Sequence, residues 1–378
     1  MNKKELKVAL VHDFLTDFGG AERVLHVLAE MFPEAPIYTL LYDQKKAPKW
    51  LEGREVHTSF LQKWPAFLRK RKKWLLPVLP VAPETFNLRD FDLVISSSGA
   101  WSKGIVTRLN TMHIAYLHSP MRFVWDANNE YLREQKKNSF INFFAGFIKN
   151  KIRIWDYVAT ERPDYLIANS QYTKERIKKY YGQESAVIYP PVSMVQTAEV
   201  ITTKQKNYFL VVSRLSPYKK IDVIIEAFNK LELPLVIVGT GTHEKYLKSI
   251  ANKNIKFLGF QSDEKLGEIY ALARCFVFAS TDDFGIAPVE AMLAGVPVLA
   301  VRKGGVREVI VEGETGEFFD TATTEVISDG VRRFLENEKN YDREVIKKRA
   351  AEFSEERFKK EIGEFIENIL CQSSDTKK

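Results

Sequence analysis

One pattern recurs along the chain and limits its folds more than any other: a short apolar run, a turn of glycine or small polar residues, then a helical period. It first occurs at Lys7–His12, followed by Asp17, Phe18, Gly19 and Gly20 and by Ala21–Met31, whose apolar residues recur at helical spacing. Ile37–Leu41, Leu93–Ser96, Met112–Leu117 and Tyr165–Ala168 read as further strands. The last of these leads through Asn169 and Ser170, good N-cap residues, into the helical Tyr172–Tyr181. A break follows at Val187–Val192, which contains Pro190-Pro191, and continues through the polar stretch Ser193–Lys206. The pattern then restarts, with strands at Asn207–Ser213, Leu235–Val238, Ile255–Leu258, Cys275–Ala279 and Val298–Val301. Helices are expected at Asp222–Leu231, Leu266–Ala273 and Ala287–Ala294, and from Thr323 to Leu370 the chain reads as strongly helical before a polar tail, Ser373–Lys378. Such alternation predicts an α/β fold built twice, each time as a parallel sheet with helices on both faces.

Composition agrees with that reading. At 378 residues the chain suits two domains, and 45% hydrophobic with 28% charged residues is ordinary globular composition. No run of about 18 uncharged apolar residues occurs, so no transmembrane helix is expected. The opening MNKKELKVALVHDFL has no small-residue cleavage site and reads as a first strand, not a signal peptide. Cys275 and Cys371 cannot form a disulfide framework and suit no metal site, which points to a reducing cytoplasm.

The net charge of +7 is uneven: residues 1–190 hold 29 basic and 20 acidic side chains, residues 191–378 hold 27 and 29. Val56–Pro83 contains no acid, and there Lys63 and Arg69–Lys73 alternate with Phe60, Trp64, Phe67, Trp74, Leu75 and Leu76. Gln135–Trp155 repeats the theme, with Lys136, Lys137, Lys149, Lys151 and Arg153 among Phe140, Phe143, Phe144, Phe147 and Ile148. By themselves these stretches fit a nucleic acid, an anionic membrane surface or a solvated face over a core.

Residues able to do chemistry collect at strand ends. Gly19-Gly20 lies between a strand and a helix N-terminus, where backbone N–H groups favour an anion, although a tight turn alone would use the same residues. Gly239-Thr240-Gly241 also follows a strand, but Glu244 stands where a dinucleotide fingerprint needs its third small residue. In Ser213–Lys220, Arg214 and Lys219 fall at the carboxyl edge of a strand, and a guanidinium fork plus an ammonium suits a diphosphate. In Thr281–Met292, Asp282 and Glu290 flank Phe284-Gly285-Ile286, and two carboxylates beside a glycine can accept hydrogen bonds from sugar hydroxyls. A turn or cap role for Asp282 and a solvated helix acid at Glu290 remain the plainer alternatives. His118 follows the strand Met112–Leu117 directly; a lone histidine is more often structural, but this one sits at the edge where such sheets bind ligands.

Together these segments resemble the retaining, GT-B-fold glycosyltransferases of family four over nearly the whole chain. Gly19-Gly20-Ala21-Glu22-Arg23-Val24 resembles that family's glycine loop, Arg214 and Lys219 its diphosphate-binding pair, and Asp282–Glu290 its E-x7-E motif. Asn169–Thr173 and Ile188–Val192 are similar to family segments as well, and Tyr116–Arg122 with Asp283–Glu290 is most similar to a bacterial branch rich in mannosyltransferases of surface polysaccharide assembly. The resemblance implies two Rossmann-like domains facing across a cleft: an acceptor domain over residues 1–190, a donor domain over 191–355, and a C-terminal helix with its tail, 356–378, returning toward the first. It implies that Arg214 and Lys219 bind and stabilise the diphosphate, that Glu290 holds the ribose, and that Asp282, Phe284, Gly285 and Ile286 hold the donor sugar. His118 would contact the sugar, Gly19 and Gly20 would lie near the phosphate, and Asp13 is a candidate acceptor contact for which a structural role in the first strand serves as well. Aspartate at position 282 departs from the family's glutamate and shortens the arm by one methylene.

The implied reaction moves a sugar, mannose from GDP-mannose, onto a glycan or lipid-linked acceptor with retention at the anomeric carbon; a UDP-sugar donor and a non-catalytic nucleotide-sugar-binding protein are the alternatives. Asp90-Phe91-Asp92 matches a metal signature by its letters but precedes its strand, at the wrong edge, so no metal or other cofactor is expected. An acceptor domain often faces membrane lipid-linked glycans, which turns the two basic, aromatic stretches into expected contacts at the inner face of the cell membrane. No nucleic-acid-reading motif is present, and the sequence leaves the oligomeric state open.

Overall fold

The computed structural model describes residues 6–17, 19–69, 71–126, 139–193 and 207–375, with the side chains of 139–145 and 373–375 left aside. Phe18, Lys70, Lys136, Lys137, the side chains of Phe140, Phe143 and Phe144, nearly all of the Ser193–Lys206 stretch and residues 376–378 of the tail therefore lie outside what is described. The chain forms two compact units, Met1–Tyr189 with Glu361–Lys378, and Pro190–Lys360.

The first unit holds a wholly parallel seven-stranded sheet: β1 (Val8–Leu15), β2 (Ile37–Tyr42), β3 (Val56–Thr58), β4 (Leu93–Ser98), β5 (Met112–Leu117), β6 (Tyr165–Ala168) and β7 (Ala186–Val187). Their order is β3-β2-β1-β4-β5-β6-β7. The chain builds outward from β1 through β2 and β3, then returns to β1's other side to lay down β4, so the order reverses between β1 and β4. Helices α1 (Gly20–Met31), α2 (Ala66–Arg69), α3 (Arg122–Trp125), α4 (Ser139–Ala159) and α5 (Gln171–Tyr181) join the strands. Burial on both faces is why β1 reads as a near-continuous apolar run. The Ser170 hydroxyl caps α5 by accepting the Thr173 N–H at 3.0 Å, and Gly182 ends the helix at φ 70°.

The second unit repeats the plan with β8 (Tyr208–Val212), β9 (Leu235–Val238), β10 (Ile255–Gly259), β11 (Ala273–Phe278), β12 (Val298–Val301) and β13 (Gly316–Phe319), in the order β10-β9-β8-β11-β12-β13. Here the order reverses between β8 and β11. The helices are α6 (Ile221–Leu231), α7 (Glu244–Ile250), α8 (Asp263–Ala271), α9 (Ile286–Leu293), α10 (Val306–Val309), α11 (Thr324–Asn337) and α12 (Arg343–Ala351). The apolar stripe of α6, with Ile224, Ile225 and Phe228, packs on Phe209, Val277 and Phe334 in one buried cluster. A last helix, α13 (Glu355–Asp375), ends within the first unit, where Phe365 meets Tyr165 edge-on at 6.1 Å.

Some expectations need correction. Ala273, expected to end a helix, opens β11, because α8 stops two residues earlier. Strand β1 runs on to Leu15, so His12 and Asp13 lie inside it and point to opposite faces. Three short strands, β3, β7 and β13, had no reading in the sequence. Four of the six apolar residues named in the first basic stretch are core: Phe60, Trp64, Leu75 and Leu76 pack with Leu79, Trp101 and, from α4, Ile148, Ile152 and Trp155. Phe67 and Trp74 of that stretch, 62% and 63% exposed, turn large apolar groups to solvent, with Val81 beyond them, as do Phe147, Ile154, Tyr157 and Val158 of α4.

Candidate functional site

A parallel sheet whose strand order reverses leaves two neighbouring loops diverging at its carboxyl edge, and ligands of such sheets bind in the crevice between them. Both units place their chemically capable residues there.

In the second unit the two loops follow β8 and β11. After β8, Arg214 is exposed, and a short turn at Pro217–Lys219 delivers Lys219. Lys220 then enters α6 at φ 54°, a left-handed conformation that a side chain normally avoids by about 1 kcal/mol or more. After β11 comes Asp282, whose Oδ2 lies 2.5 Å from Lys219 Nζ. The two side chains are 14% and 21% exposed, so the pair spans the reversal point and remains open to a ligand. Glu290, on α9, is only 6% exposed and accepts the Tyr270 hydroxyl at 2.9 Å on Oε2. That burial removes the reading of Glu290 as a solvated helix acid. Gly285 caps α9 at φ 98°, and Ile286 is the helix's first residue. The Phe284 ring is buried against Phe353 at 5.4 Å, so Phe284 has only backbone to offer a ligand.

Glycines hold both loops in place. A Cβ on Gly239 would lie 1.9 Å from Ser213 O, and one on Gly241 2.1 Å from Leu215 O. The Gly239-Thr240-Gly241 segment therefore serves close backbone approach to the Arg214 loop, sealed by the Leu215 N–H donating to Thr240 O at 3.0 Å. Gly304 and Gly305 do the same for the other loop, where added Cβ atoms would meet Asp282 O at 2.3 Å and Asp283 O at 2.1 Å.

In the first unit the reversal lies between β1 and β4, and His12 stands in register with Ser97 across it. The Ser97 hydroxyl is 3.1 Å from His12 Nδ1 and 2.7 Å from Nε2 of His118, one residue past β5. On its other side His12 Nε2 is 3.5 Å from Glu22 Oε1, while Glu22 Oε2 accepts the Gly19 N–H at 2.7 Å. Gly19 is exposed at the start of α1, with Gly20 its first residue. Burial drives the His118 pKa down to about 3; the nearby His12 adds to this and Asp13 opposes it, so the ring is held neutral. The loop carrying His118 is fixed by Asn169, whose Nδ2 donates to His118 O at 2.9 Å, and by Arg176, which donates to Ser119 Oγ at 3.0 Å and pairs with Asp126.

Asp13 spends its carboxylate on the backbone, as the structural alternative expects. Its Oδ2 accepts the Gly99 N–H at 2.9 Å, and its Oδ1 accepts those of Trp101 and Ser102 at 2.9 and 2.6 Å. A carboxylate 8% exposed and holding three backbone donors is an anchor for the loop after β4. The same loop is held from its other end by Lys103, 1% exposed, whose Nζ lies 2.5 Å from Asp156 Oδ1. Asp90-Phe91-Asp92 precedes β4, and Asp92 Oδ2 accepts the Lys7 N–H at 3.1 Å. No cluster of metal-ligating side chains occurs among the described residues.

Sequence reasoning missed His12, Glu22, Ser97 and Tyr270. Ser96, Ser97 and Ser98, all fully buried at the end of a central strand, were the available signal, since buried hydroxyls need partners. Tyr270 left none.

Comparison with known proteins accords with this architecture. The Glycosyltransferase Family 4 profile matches residues 18–195, and the Glycosyl transferases group 1 profile matches 196–353. An uncharacterised glycosyltransferase of Methanocaldococcus jannaschii is 24% identical over 93% of this chain and 95% of its own length. An alpha-1,3/1,6-mannosyltransferase of Dictyostelium discoideum is 22% identical over 87% and 91%. Two other relatives are matched over little more than half their length, 56% for a second uncharacterised M. jannaschii glycosyltransferase and 62% for a probable sucrose-phosphate synthase of Thermosipho melanesiensis. Among solved structures, Anabaena HepE in complex with UDP-glucose superposes with a TM-score of 0.69 at 19% identity, covering 96% of this chain and all of that one. A sucrose-phosphate synthase from Thermosynechococcus elongatus gives 0.73 at 15% identity over the same shares. With two profiles in tandem across residues 18–353 and two Rossmann-like parallel-sheet units, the chain belongs to the GT-B glycosyltransferases, of the family 4 and group 1 type.

Proposed function

We propose that the protein transfers mannose from GDP-mannose to a glycan or lipid-linked glycan, with retention at the anomeric carbon, at the cytoplasmic face of a membrane. The observation that carries this reading is the Lys219–Asp282 pair at the β8/β11 reversal, with Arg214 in the same loop and Glu290 buried behind. A diphosphate is a stronger partner for Lys219 than one carboxylate, and when it takes the ammonium, Asp282 becomes an acceptor for a sugar hydroxyl. Arg214 joins Lys219 on the phosphates, Glu290 takes the ribose hydroxyls, and the Gly285–Ile286 backbone approaches the sugar. Gly20, with Gly19 held beside it by Glu22, offers its backbone N–H to the phosphate, and His118 meets a sugar hydroxyl.

In the proposed step the acceptor oxygen bonds to the anomeric carbon on the side the diphosphate leaves. The bond from that carbon to the phosphate oxygen breaks, and the acceptor's proton passes to a departing phosphate oxygen. The protein supplies positioning and charge stabilisation, with Arg214 and Lys219 opposing the charge that grows on the leaving group. Since these two cations supply that charge, transfer is expected to need no divalent ion. The mannosyltransferase relative of D. discoideum supports the mannose donor. A UDP-sugar donor is the second reading, favoured by the likeness to a structure that contains UDP-glucose.

The membrane part of the proposal rests on the exposed Phe67 and Trp74 beside Arg69, Arg71 and Lys73, and on Phe147 and Ile154 of α4 beside Lys149, Lys151 and Arg153. No helix among the described residues is long and apolar enough to cross a membrane. Melting the protein with GDP-mannose, UDP-glucose or UDP-N-acetylglucosamine tests the donor, because a ligand that binds the folded state raises the transition. GDP-mannose is expected to stabilise the wild type most, and Lys219→Ala to abolish the shift. Stabilisation by a UDP-sugar alone would move the assignment to the second reading, and no shift with any donor would overturn both.

A further inference from the structure

The chain Gly19–Glu22–His12–Ser97–His118 links the glycine loop to the carboxyl end of β5 across the reversal point of the first sheet. One hydroxyl stands between two imidazoles, and Ser97 has a single proton to give. It can donate to one ring nitrogen and must accept from the other, which couples the tautomers of His12 and His118. With Glu22 ionised and both rings neutral, a single assignment satisfies every contact. His12 Nε2–H points at Glu22 Oε1, so His12 Nδ1 carries a lone pair, and the Ser97 hydroxyl donates to it over 3.1 Å. Ser97 Oγ then accepts Nε2–H of His118 over 2.7 Å. Among the described residues nothing is bonded to His118 Nδ1.

We propose that Glu22, His12 and Ser97 are positioning residues that fix the His118 proton on Nε2 and so present Nδ1 as a hydrogen-bond acceptor to a hydroxyl of the transferred sugar. The sugar rests on the function proposed above; the tautomer does not. Burial supports the assignment, since it keeps the His118 ring neutral and therefore able to accept. Among the described residues, Asp13 beside the chain is committed to the loop after β4, and Tyr116 lays its ring edge-on to His118 at 5.3 Å. Glu22 also ties the device to the glycine loop: the carboxylate that orients His12 holds the Gly19 N–H at the start of α1.

The test is multiple-bond proton–nitrogen NMR on full-length protein labelled at histidine nitrogen, with His118 assigned through His118→Asn. Wild type is expected to show His118 protonated on Nε2. Ser97→Ala removes the coupler and should leave His118 as a mixture of both tautomers. In Glu22→Gln the carboxamide oxygen keeps the Gly19 N–H while its NH2 faces His12. That reverses each donor from His12 to His118 and moves the His118 proton to Nδ1. Glu22→Gln should lower donor turnover about tenfold, the worth of one well-placed hydrogen bond, and Ser97→Ala only about twofold, since about half of its His118 keeps the competent tautomer, while GDP affinity stays unchanged in both. Glu22→Gln is isosteric, so it remains informative if Ser97→Ala unfolds. An Nδ1–H tautomer in wild type, or an unaltered one in both variants, overturns the proposal. Absence of turnover with every nucleotide sugar, beside the expected tautomers, would overturn the transfer reading alone.

Discussion

Lys219 and Asp282 lie 63 residues apart in the chain and meet at 2.5 Å because the strands they follow, β8 and β11, are neighbours. Each was legible in the sequence as a residue of the right chemistry at a strand's carboxyl end. Their pairing was not, since periodicity identifies strands but does not order them in a sheet. The aspartate in place of the family's glutamate acquires a local meaning here, because this carboxylate already reaches the ammonium. Glu290 is held by Tyr270, which no motif announced. Tyr270→Phe removes that hydroxyl and leaves the aromatic packing intact. Titration with GDP should then show affinity weakened by at least about tenfold, the cost of one hydrogen bond to a charged group, with the melting temperature lowered by a few degrees. Unchanged GDP affinity would separate Glu290 from the nucleotide.

At the scale of elements, the loops matter more than the strands. The strands were legible because parallel strands buried on both faces are apolar runs, but the loop after β4 looks unremarkable in sequence. Its conformation is set from outside, by Asp13 on β1 and by the buried Lys103–Asp156 pair, to which Trp125 Nε1 and the Tyr181 hydroxyl each donate at 2.7 Å. Asp13→Asn replaces one accepting oxygen with a donor and sets it against a backbone N–H. Urea unfolding should show a loss of about 2 kcal/mol, within the range for losing a charge-assisted bond to a buried donor. An unaffected midpoint would mean that the loop holds itself. Lys72, one of the basic residues that suggest a membrane, is committed elsewhere: Nζ donates to Thr16 Oγ1 at 2.8 Å and sits 3.5 Å from Asp17, beside the glycine loop. Composition could not separate it from Arg69, Arg71 and Lys73. Reversing Arg69, Arg71 and Lys73 to glutamate while keeping Lys72 should release the protein from anionic liposomes and spare donor binding. Retention on the vesicles would return the stretch to an ordinary solvated face.

For the whole molecule, two strand-order reversals set where its chemistry can occur, and two neutral histidines set where it is stable. His113, fully buried and 2.8 Å from Ser96 Oγ, is driven down to about 3 by burial, with Arg162 adding to the effect; His118 is held near the same value. Both rings have a folded pKa below the unfolded value of about 6.5, so their contribution is complete above pH 6.5. It is lost as pH falls from there toward 3, because the unfolded chain takes up protons that the folded rings refuse. Each ring can contribute a slope of up to about 1.4 kcal/mol per pH unit in that window, and His113→Asn should flatten the measured profile. The fold as a whole was legible in the doubled strand–turn–helix pattern, and the candidate site in four strand ends; the buried polar chain behind His118 was not, because its members are ordinary residues until the sheet aligns them. The central claim is sugar transfer with retention from a diphosphate held by Lys219 and Glu290. It is tested most directly by following GDP-mannose breakdown by NMR with wild type, Lys219→Ala and Glu290→Ala. The account predicts release of GDP and of mannose that first appears in the donor's own anomeric configuration, slowed at least about a hundredfold in Lys219→Ala. Mannose released in the opposite configuration, or turnover unaffected by either substitution, would contradict it.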